Sequence, residues 1–498
     1  MGSARRITAQ QLADPGSVIA LGAFGGYWFQ ATMTTEVIST QQKALRINRD
    51  ARCYGTFAEI GAGQEVARWF FQAGGASHTV AKTICAYDMA VSDAIYGPAE
   101  RYVSRQRLQA MLTYEFDLLL ERLDARRGAE QTFFVFANTV ATRKEGGHGW
   151  LGIRFQTQPR EAASEILLHV RMLDKENVRQ QEALGVIGVN LIHGAFYLHA
   201  EPDRLIRSLL DNLTWERVEV DMIRFGGPAF AGVDNRLMAL QLVEQDLTEA
   251  AMFTAEGEAV QWAEVLYKKP VLVQRGSFRP LTNATLDVLE RAHEQFVREP
   301  ELQGAAPVVL VEMTLRHLTT GDAIDHPDFL QRADTLRALG RTVLISNFRR
   351  YHRLAWYLSR YTDRPLGLAL GASHLAEIFN ETFYNETEGG LLGGLGQLFK
   401  NPARLYVYPS IEPETGRVTM VENFPVAENL KHLYAHLLQN RFLVGLTPSD
   451  WDFLPIRRQD ILTKIQRGDA SWERFVPPPI AALIKHEGMF GFRKRTRL

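Results

Sequence analysis

Two spacings of apolar residues divide this chain. From residue 270 onward, short and nearly continuous apolar runs recur: VLVQ (271–274), VVLVEMT (308–314), TVLIS (342–346), LGLALG (366–371) and RLYVYP (404–409). Stretches with helical spacing separate them. Strands buried on both faces read as unbroken hydrophobic runs, and helices between them supply the crossovers of a parallel sheet. A doubly wound, Rossmann-like α/β sheet is therefore expected for this half. Its ligands belong at the carboxyl ends of the strands, near Gly276 and Gly371.

The preceding stretch, from Tyr54 to about Phe253, also alternates strands and helices. FFVFANTVAT (133–142), WLGIRFQTQ (150–158) and EILLHVRML (165–173) read as strands, with a turn at Lys144–Gly149. LGVIGVNLIHGAFYLH (184–199) reads as a helix packed on them. A polar turn at Glu256-Gly257-Glu258 and a break at Lys268-Lys269-Pro270 mark a boundary. The expected organisation is an N-terminal extension over 1–50, one α/β domain over 51–255 and a second over 265–498. Val18–Phe29 is too short for a membrane span and reads as an early strand or buried turn.

Composition adds limits. With 498 residues, 46% hydrophobic and 23% charged, the chain has the make-up of an ordinary globular protein with room for two or three cores. A formal net charge of −1 gives no global case for nucleic acid or an anionic membrane as partner. Cys53 and Cys85 are too few for a disulfide framework and lack metal-site spacing, so no metal ligands are assigned and a reducing cytoplasm is the expected location.

The most informative segment is VLVQRGSFRPLTNATLDVLERAH (271–293), a strand, a glycine turn and a helix start. Backbone N–H groups and a helix N-terminus favour an anion there. The segment resembles the first motif of the nucleotidylyltransferases that adenylate nicotinate mononucleotide or phosphopantetheine, G-[ST]-F-[DN]-P followed by [HT]-x-G-H. Gly276, Ser277 and Phe278 match, whereas the acidic position is Arg279 and the tetrad reads Thr282-Asn283-Ala284-Thr285. GLALGASHLAEIFNETFY (367–384) resembles that family's G-A-D segment, with Ser373 in the Asp position and His374 after it. LPIRRQDILTKIQRGDASWERFVPPPIAALIKHEGMF (454–490) resembles its closing element. The three segments stand in family order over about 270–490.

The resemblance implies a nucleotide ligand: ATP, a mononucleotide or NAD. It also implies ATP and Mg²⁺ as cofactors for adenylyl transfer to nicotinate or nicotinamide mononucleotide. Gly276, Ser277, Phe278, Gly371, Ser373, Arg457, Arg458 and Lys464 are the implied binding residues. The family's histidines and its closing Ser-Ser-Thr and Arg are absent here, and Arg279, Arg457, Arg458 and Lys464 are candidate phosphate clamps in their place. Thr282 and Thr285 read equally as helix caps or as ligand donors.

Residues 55–200 resemble the nicotinamide-nucleotide amidohydrolase family, the C-terminal domain type of competence-damage proteins. Ala76-Ser77, Tyr87, Ala94 and Gly97 sit at matching places, as do Arg143, Gly147, His148, Arg179 and Glu182. The family's nucleophilic serine is replaced within Ile60-Gly61-Ala62-Gly63-Gln64. Glu59, Lys82 and Tyr87 then form either an acid–base site or, for Glu59 and Lys82, a structural ion pair. The amidohydrolase-like family implies a homo-oligomer. Two functions stay open on these residues: a bidomain pyridine-nucleotide enzyme, and an inactive nucleotide sensor or oligomeric scaffold.

Overall fold

A computed structural model describes residues 37–493, apart from Asp322 and Pro413. Most of residues 1–50, with Val18–Phe29, lies outside the described residues. The described residues from 38 onward cluster as one compact unit.

The first sheet contains β1 (Cys53–Ile60), β2 (Val80–Ile84), β3 (Thr132–Ala141), β4 (Gly147–Phe155), β5 (Ser164–Met172) and β6 (Val218–Gly226), in the order β2-β1-β3-β4-β5-β6. β1 runs parallel to β2 and β3, and the other neighbours are antiparallel. The FFVF run explains itself here. Phe134 and Phe136 face α1 (Thr40–Asn48), α2 (Glu65–Ala73) and α4 (Asn177–Tyr197), while Phe133 and Val135 face α3 (Arg105–Arg127). With helices on both faces, strict period-two alternation is not needed.

The second sheet has the order β13-β12-β11-β8-β9-β10-β7. Its strands are β7 (Ala250–Phe253), β8 (Val271–Arg275), β9 (Val308–Thr314), β10 (Thr342–Ser346), β11 (Leu366–Gly371), β12 (Ala403–Tyr408) and β13 (Leu443–Gly445). All are parallel except the edge strand β7, which pairs antiparallel with β10. The six parallel strands in chain order give the spatial order 3-2-1-4-5-6 of the doubly wound fold. The order reverses between β8 and β11, and a crevice opens there. α6 (Asn283–Phe296) and α7 (His326–Arg337) cover one face, and α8 (Tyr351–Leu358) the other. The architecture is two α/β domains, the second doubly wound.

Polar ties join the two sheets. Glu219 on β6 accepts from Arg171 (2.7 Å), Thr248 Oγ1 (2.7 Å) and Tyr357 Oη (3.3 Å). Asp234 caps α5 (Asn235–Glu244), and Arg236 spans from Asp234 to Asp334 on α7 at 2.6 Å. Asp325 caps α7 by accepting from the Asp328 N–H, and His326 meets Glu244 at 2.9 Å.

The helices over the first sheet approach so closely that a Cβ on Gly188 would lie 2.3 Å from a Val66 methyl. Gly188→Leu is therefore expected to lower unfolding stability by about 1–3 kcal/mol, read from the midpoint of a urea titration.

Candidate functional site

At the reversal point lies an open cleft of about 660 Å³, lined by the carboxyl ends of β8, β11 and β12 and by α9 (Arg458–Arg467). Its floor is the Gly276–Pro280 turn. Phe278 is fully buried at φ 48°, and its ring lies against Gly276, where a Cβ would come within 3.0 Å of it. A side chain at position 276 would crowd the ring that folds back beneath the turn.

Five arginines line this cleft: Arg275, Arg279, Arg332, Arg457 and Arg458. Three are committed to carboxylates. Arg275 forks onto buried Glu312, Nε to Oε2 at 2.7 Å and an η nitrogen to Oε1 at 3.0 Å. Glu312 also accepts from Ser346 Oγ at 2.6 Å. Arg279 and Arg332 share Asp328, with Arg279 Nε 2.6 Å from its Oδ1. Arg332 also donates to the Ser277 and His317 carbonyls. Burial holds the Arg332 pKa below its usual value.

Arg458 differs. Its guanidinium donates to Ser277 Oγ at 2.5 Å and has no carboxylate partner among the described residues. Although its side chain is exposed overall, desolvation alone lowers its pKa, as expected for an uncompensated cation at the mouth of a crevice. Two histidines complete the lining. Burial and the neighbouring arginines push His317 down to about 4, and burial also lowers His374. The Nδ1 atoms of both are buried without partners.

The expected binding residues divide. Gly276, Ser277, Gly371, Arg457 and Arg458 line the cleft, as do Arg279, Thr282 and Thr285. Thr282 is the N-cap of α6, accepting from the Thr285 N–H at 3.2 Å. Phe278 supports the turn from below. Ser373 is exposed and does not line the cleft, whereas His374 beside it does. Lys464 turns away, donating to Ser471 Oγ at 3.0 Å. Sequence reasoning passed over Arg275, His317 and Arg332. Their signal was position: Arg275 and His317 sit at or just beyond the carboxyl ends of β8 and β9.

No aspartate or glutamate lines the cleft, and no group of three or more metal-binding side chains occurs among the described residues. The lining does not fit a protein-held Mg²⁺.

In the first domain, Glu59, Lys82 and Tyr87 are not brought together. Glu59 is buried and accepts from the Val66 and Ala67 N–H groups and from Asn138 Nδ2. It therefore occupies the N-terminus of α2 that an anion would need. Lys82 pairs instead with Glu115 on α3, which also accepts from Tyr96 Oη at 2.9 Å. α2 and α3 cover opposite faces of the sheet, so the Glu59–Lys82 ion pair is not formed. Tyr87 is 72% exposed. His148 ends a chain across three strands: its Nδ1 meets His169 Nε2 at 3.2 Å, and His169 Nδ1 meets Asp221 Oδ1 at 2.6 Å. Gln180 holds the backbone of Arg143, while Arg179 pairs with Glu176.

No protein-family model matches the chain, and no curated protein sequence matches it. Solved structures align over parts of it. Competence/damage-inducible protein CihA from Agrobacterium tumefaciens is 18% identical over 31% of this chain and 93% of its own, with a TM-score of 0.23. A CinA superfamily protein from Enterobacter cloacae is 13% identical over 35% and 99%, with a TM-score of 0.24. Nicotinic acid mononucleotide adenylyltransferase from Plasmodium falciparum, complexed with APC, is 13% identical over 45% and 98%, with a TM-score of 0.27. Likenesses at this level carry no argument about activity, which has to rest on the residues themselves. Among the described residues, no helix is long and apolar enough to cross a membrane.

Burial raises the Glu59 pKa from 4.5 to about 7. A carboxyl raised in this way binds a proton on folding, so its contribution to stability is full below about 4.5 and is lost as pH rises through about 7. Wild type minus Glu59→Gln, compared by urea unfolding at pH 5 and pH 8, is expected to show wild type relatively more stable at pH 5. A difference independent of pH would contradict this assignment.

Proposed function

We propose that the cleft between β8 and β11 binds the phosphates of a nucleotide, and that the protein acts in pyridine-nucleotide chemistry. The observation that carries this reading is Arg458. It is a cation without a carboxylate partner among the described residues, held against Ser277 at the order-reversal point of a doubly wound sheet. Crevices at that point take ligands, and a guanidinium beside a hydroxyl matches a phosphate oxygen. A cleft of about 660 Å³ falls within the range of nucleotide and cofactor sites, roughly 300–1,000 Å³. The α6 N-terminus, with Ala284 in the lining, adds a favourable dipole.

The candidate ligands are ATP, nicotinate or nicotinamide mononucleotide and NAD. Adenylyl transfer from ATP to a mononucleotide is the finer reading. Such transfer depends on positioning and charge stabilisation. In this chain Arg458, Arg457 and the neutral His317 and His374 are the groups at hand for it. Arg275, Arg279 and Arg332 are spent largely on Glu312 and Asp328, so their role is to shape the cleft. Mg²⁺, if used, would arrive on the nucleotide. The commitment of those three arginines also favours the second reading, a nucleotide sensor without turnover.

Calorimetry with ATP is expected to show binding that Arg458→Ala weakens about tenfold to a hundredfold, the loss of one charge-assisted contact. Undiminished binding in Arg458→Ala would defeat the proposal. Incubation with ATP, Mg²⁺ and each mononucleotide, followed by assay of pyrophosphate and dinucleotide, separates the two readings. Product marks the enzyme, and binding without product marks the sensor.

A further inference from the structure

A second cleft, of about 650 Å³, opens at the carboxyl end of β10. It is bounded by the loop from Asn347 to Arg350, the first turn of α8, and the 382–387 segment. Its chemistry is that of an anion site, and nothing in the first cleft accounts for it.

Three observations converge. The first is cationic. Arg349 and Arg350 have no carboxylate partner among the described residues. The Arg350 guanidinium lies 3.5 Å from the centroid of the Phe383 ring. An arginine stacked on an aromatic face keeps its edge N–H groups free for a ligand. Arg353 is partly offset by Glu249 at 3.1 Å, and Glu386 also faces the cleft. The second is the backbone. Arg350 is the N-cap of α8 and makes no side-chain capping bond, so the first N–H groups of this eight-residue helix are left without a cap.

The third observation is His352. It is 3% exposed, lines the cleft and packs on Tyr384 with ring centroids 5.0 Å apart. Its Nδ1 is buried without a hydrogen-bond partner. A buried polar group without a partner costs stability unless a ligand or water completes it. Burial lowers its pKa to about 4, so the ring stands neutral near pH 7 and offers one donor and one acceptor. Asn347 and Thr382 add uncharged hydrogen-bonding groups to the wall.

We infer that this cleft is a second anion site, independent of the first, which binds a phosphate-bearing small molecule through Arg349, Arg350 and the α8 N-terminus. Tyr351 stands between the two clefts. It lies under the Arg275 guanidinium at 4.5 Å and edge-on to His374 at 6.2 Å, both in the lining of the first. Its chain neighbours Arg350 and His352 line the second.

The test uses the full chain and inorganic pyrophosphate in low-salt buffer, followed by calorimetry. Arg458→Ala serves as the background, because it weakens the first cleft while leaving Arg349 and Arg350 in place, so that their substitution reports on the second cleft. In that background pyrophosphate is expected to bind, and Arg349→Ala with Arg350→Ala is expected to weaken it by at least about tenfold. Arg349 is exposed, so Arg349→Glu alone is a second variant that leaves the core untouched, and it is expected to weaken binding in the same direction. Absence of pyrophosphate binding in the Arg458→Ala background, or binding indifferent to both sets of variants, overturns the inference. ADP in place of pyrophosphate names the source: tighter ADP binding marks a nucleotide, and equal or weaker binding marks a simple phosphate. Because the background lacks Arg458, failure here leaves the proposal for the first cleft standing.

Discussion

Glu312 is the residue on which the second domain's site is built. It is fully buried at the carboxyl end of β9, between β8 and β10. Its two oxygens take Arg275 from one neighbouring strand and Ser346 from the other. A carboxylate without such partners would be expelled from this interior or protonated. Satisfied in this way, it fixes the ends of three adjacent strands. The Gly276 N–H adds a backbone bond to the Glu312 carbonyl at 3.0 Å, which sets where the turn departs. From that fixed point the Gly276–Pro280 turn, the α6 cap and the loop into α8 all take their directions.

The same accounting explains why cations differ in meaning. Five arginines crowd the first cleft, yet a guanidinium forked onto a buried carboxylate has little field left for a ligand. Asp328 holds Arg279 and Arg332 together, so these two act as a brace between the turn and α7. Arg458 comes from the closing segment, whose apolar side chains, Ile461, Ile465, Trp472 and Ile480 among them, form a cluster of their own. That segment docks back on the turn through Ser277, and through Asn283 Nδ2 to the Arg474 carbonyl at 3.0 Å. The guanidinium that faces this cleft without a carboxylate is therefore supplied by a part of the chain 181 residues from Ser277 on its floor.

Most strands of the second sheet and the central ones of the first were legible in the sequence because burial on both faces writes an apolar run, whereas the shorter or edge strands β2, β7 and β13 were not. VLVQ, VVLVEMT, TVLIS, LGLALG and RLYVYP each became a parallel strand. The location of the cleft was legible too, since Gly276 and Gly371 end the strands on either side of the reversal. Partnership was not legible. Nothing in the sequence says that Arg279 is tied to Asp328, that Lys464 turns toward Ser471, or that Lys82 finds Glu115 on the far face of the sheet from Glu59. Those outcomes depend on strand parity and crossover direction, which bring residues of distant sequence together. Glu59 shows the same limit: read in sequence as a partner for Lys82, it instead accepts from the Val66 and Ala67 N–H groups at the α2 N-terminus.

On the reading proposed above, Arg458 and Ser277 make the phosphate contact of the first cleft. A crystal structure of the protein grown with ATP tests it most directly. Triphosphate density is expected between β8 and β11, with phosphate oxygens within hydrogen-bond reach of the Arg458 guanidinium and Ser277 Oγ. The Arg275–Glu312 and Arg279–Asp328 pairs should remain intact. Triphosphate density that leaves Arg458 untouched, or that draws Arg275 and Arg279 off their carboxylates, would contradict it.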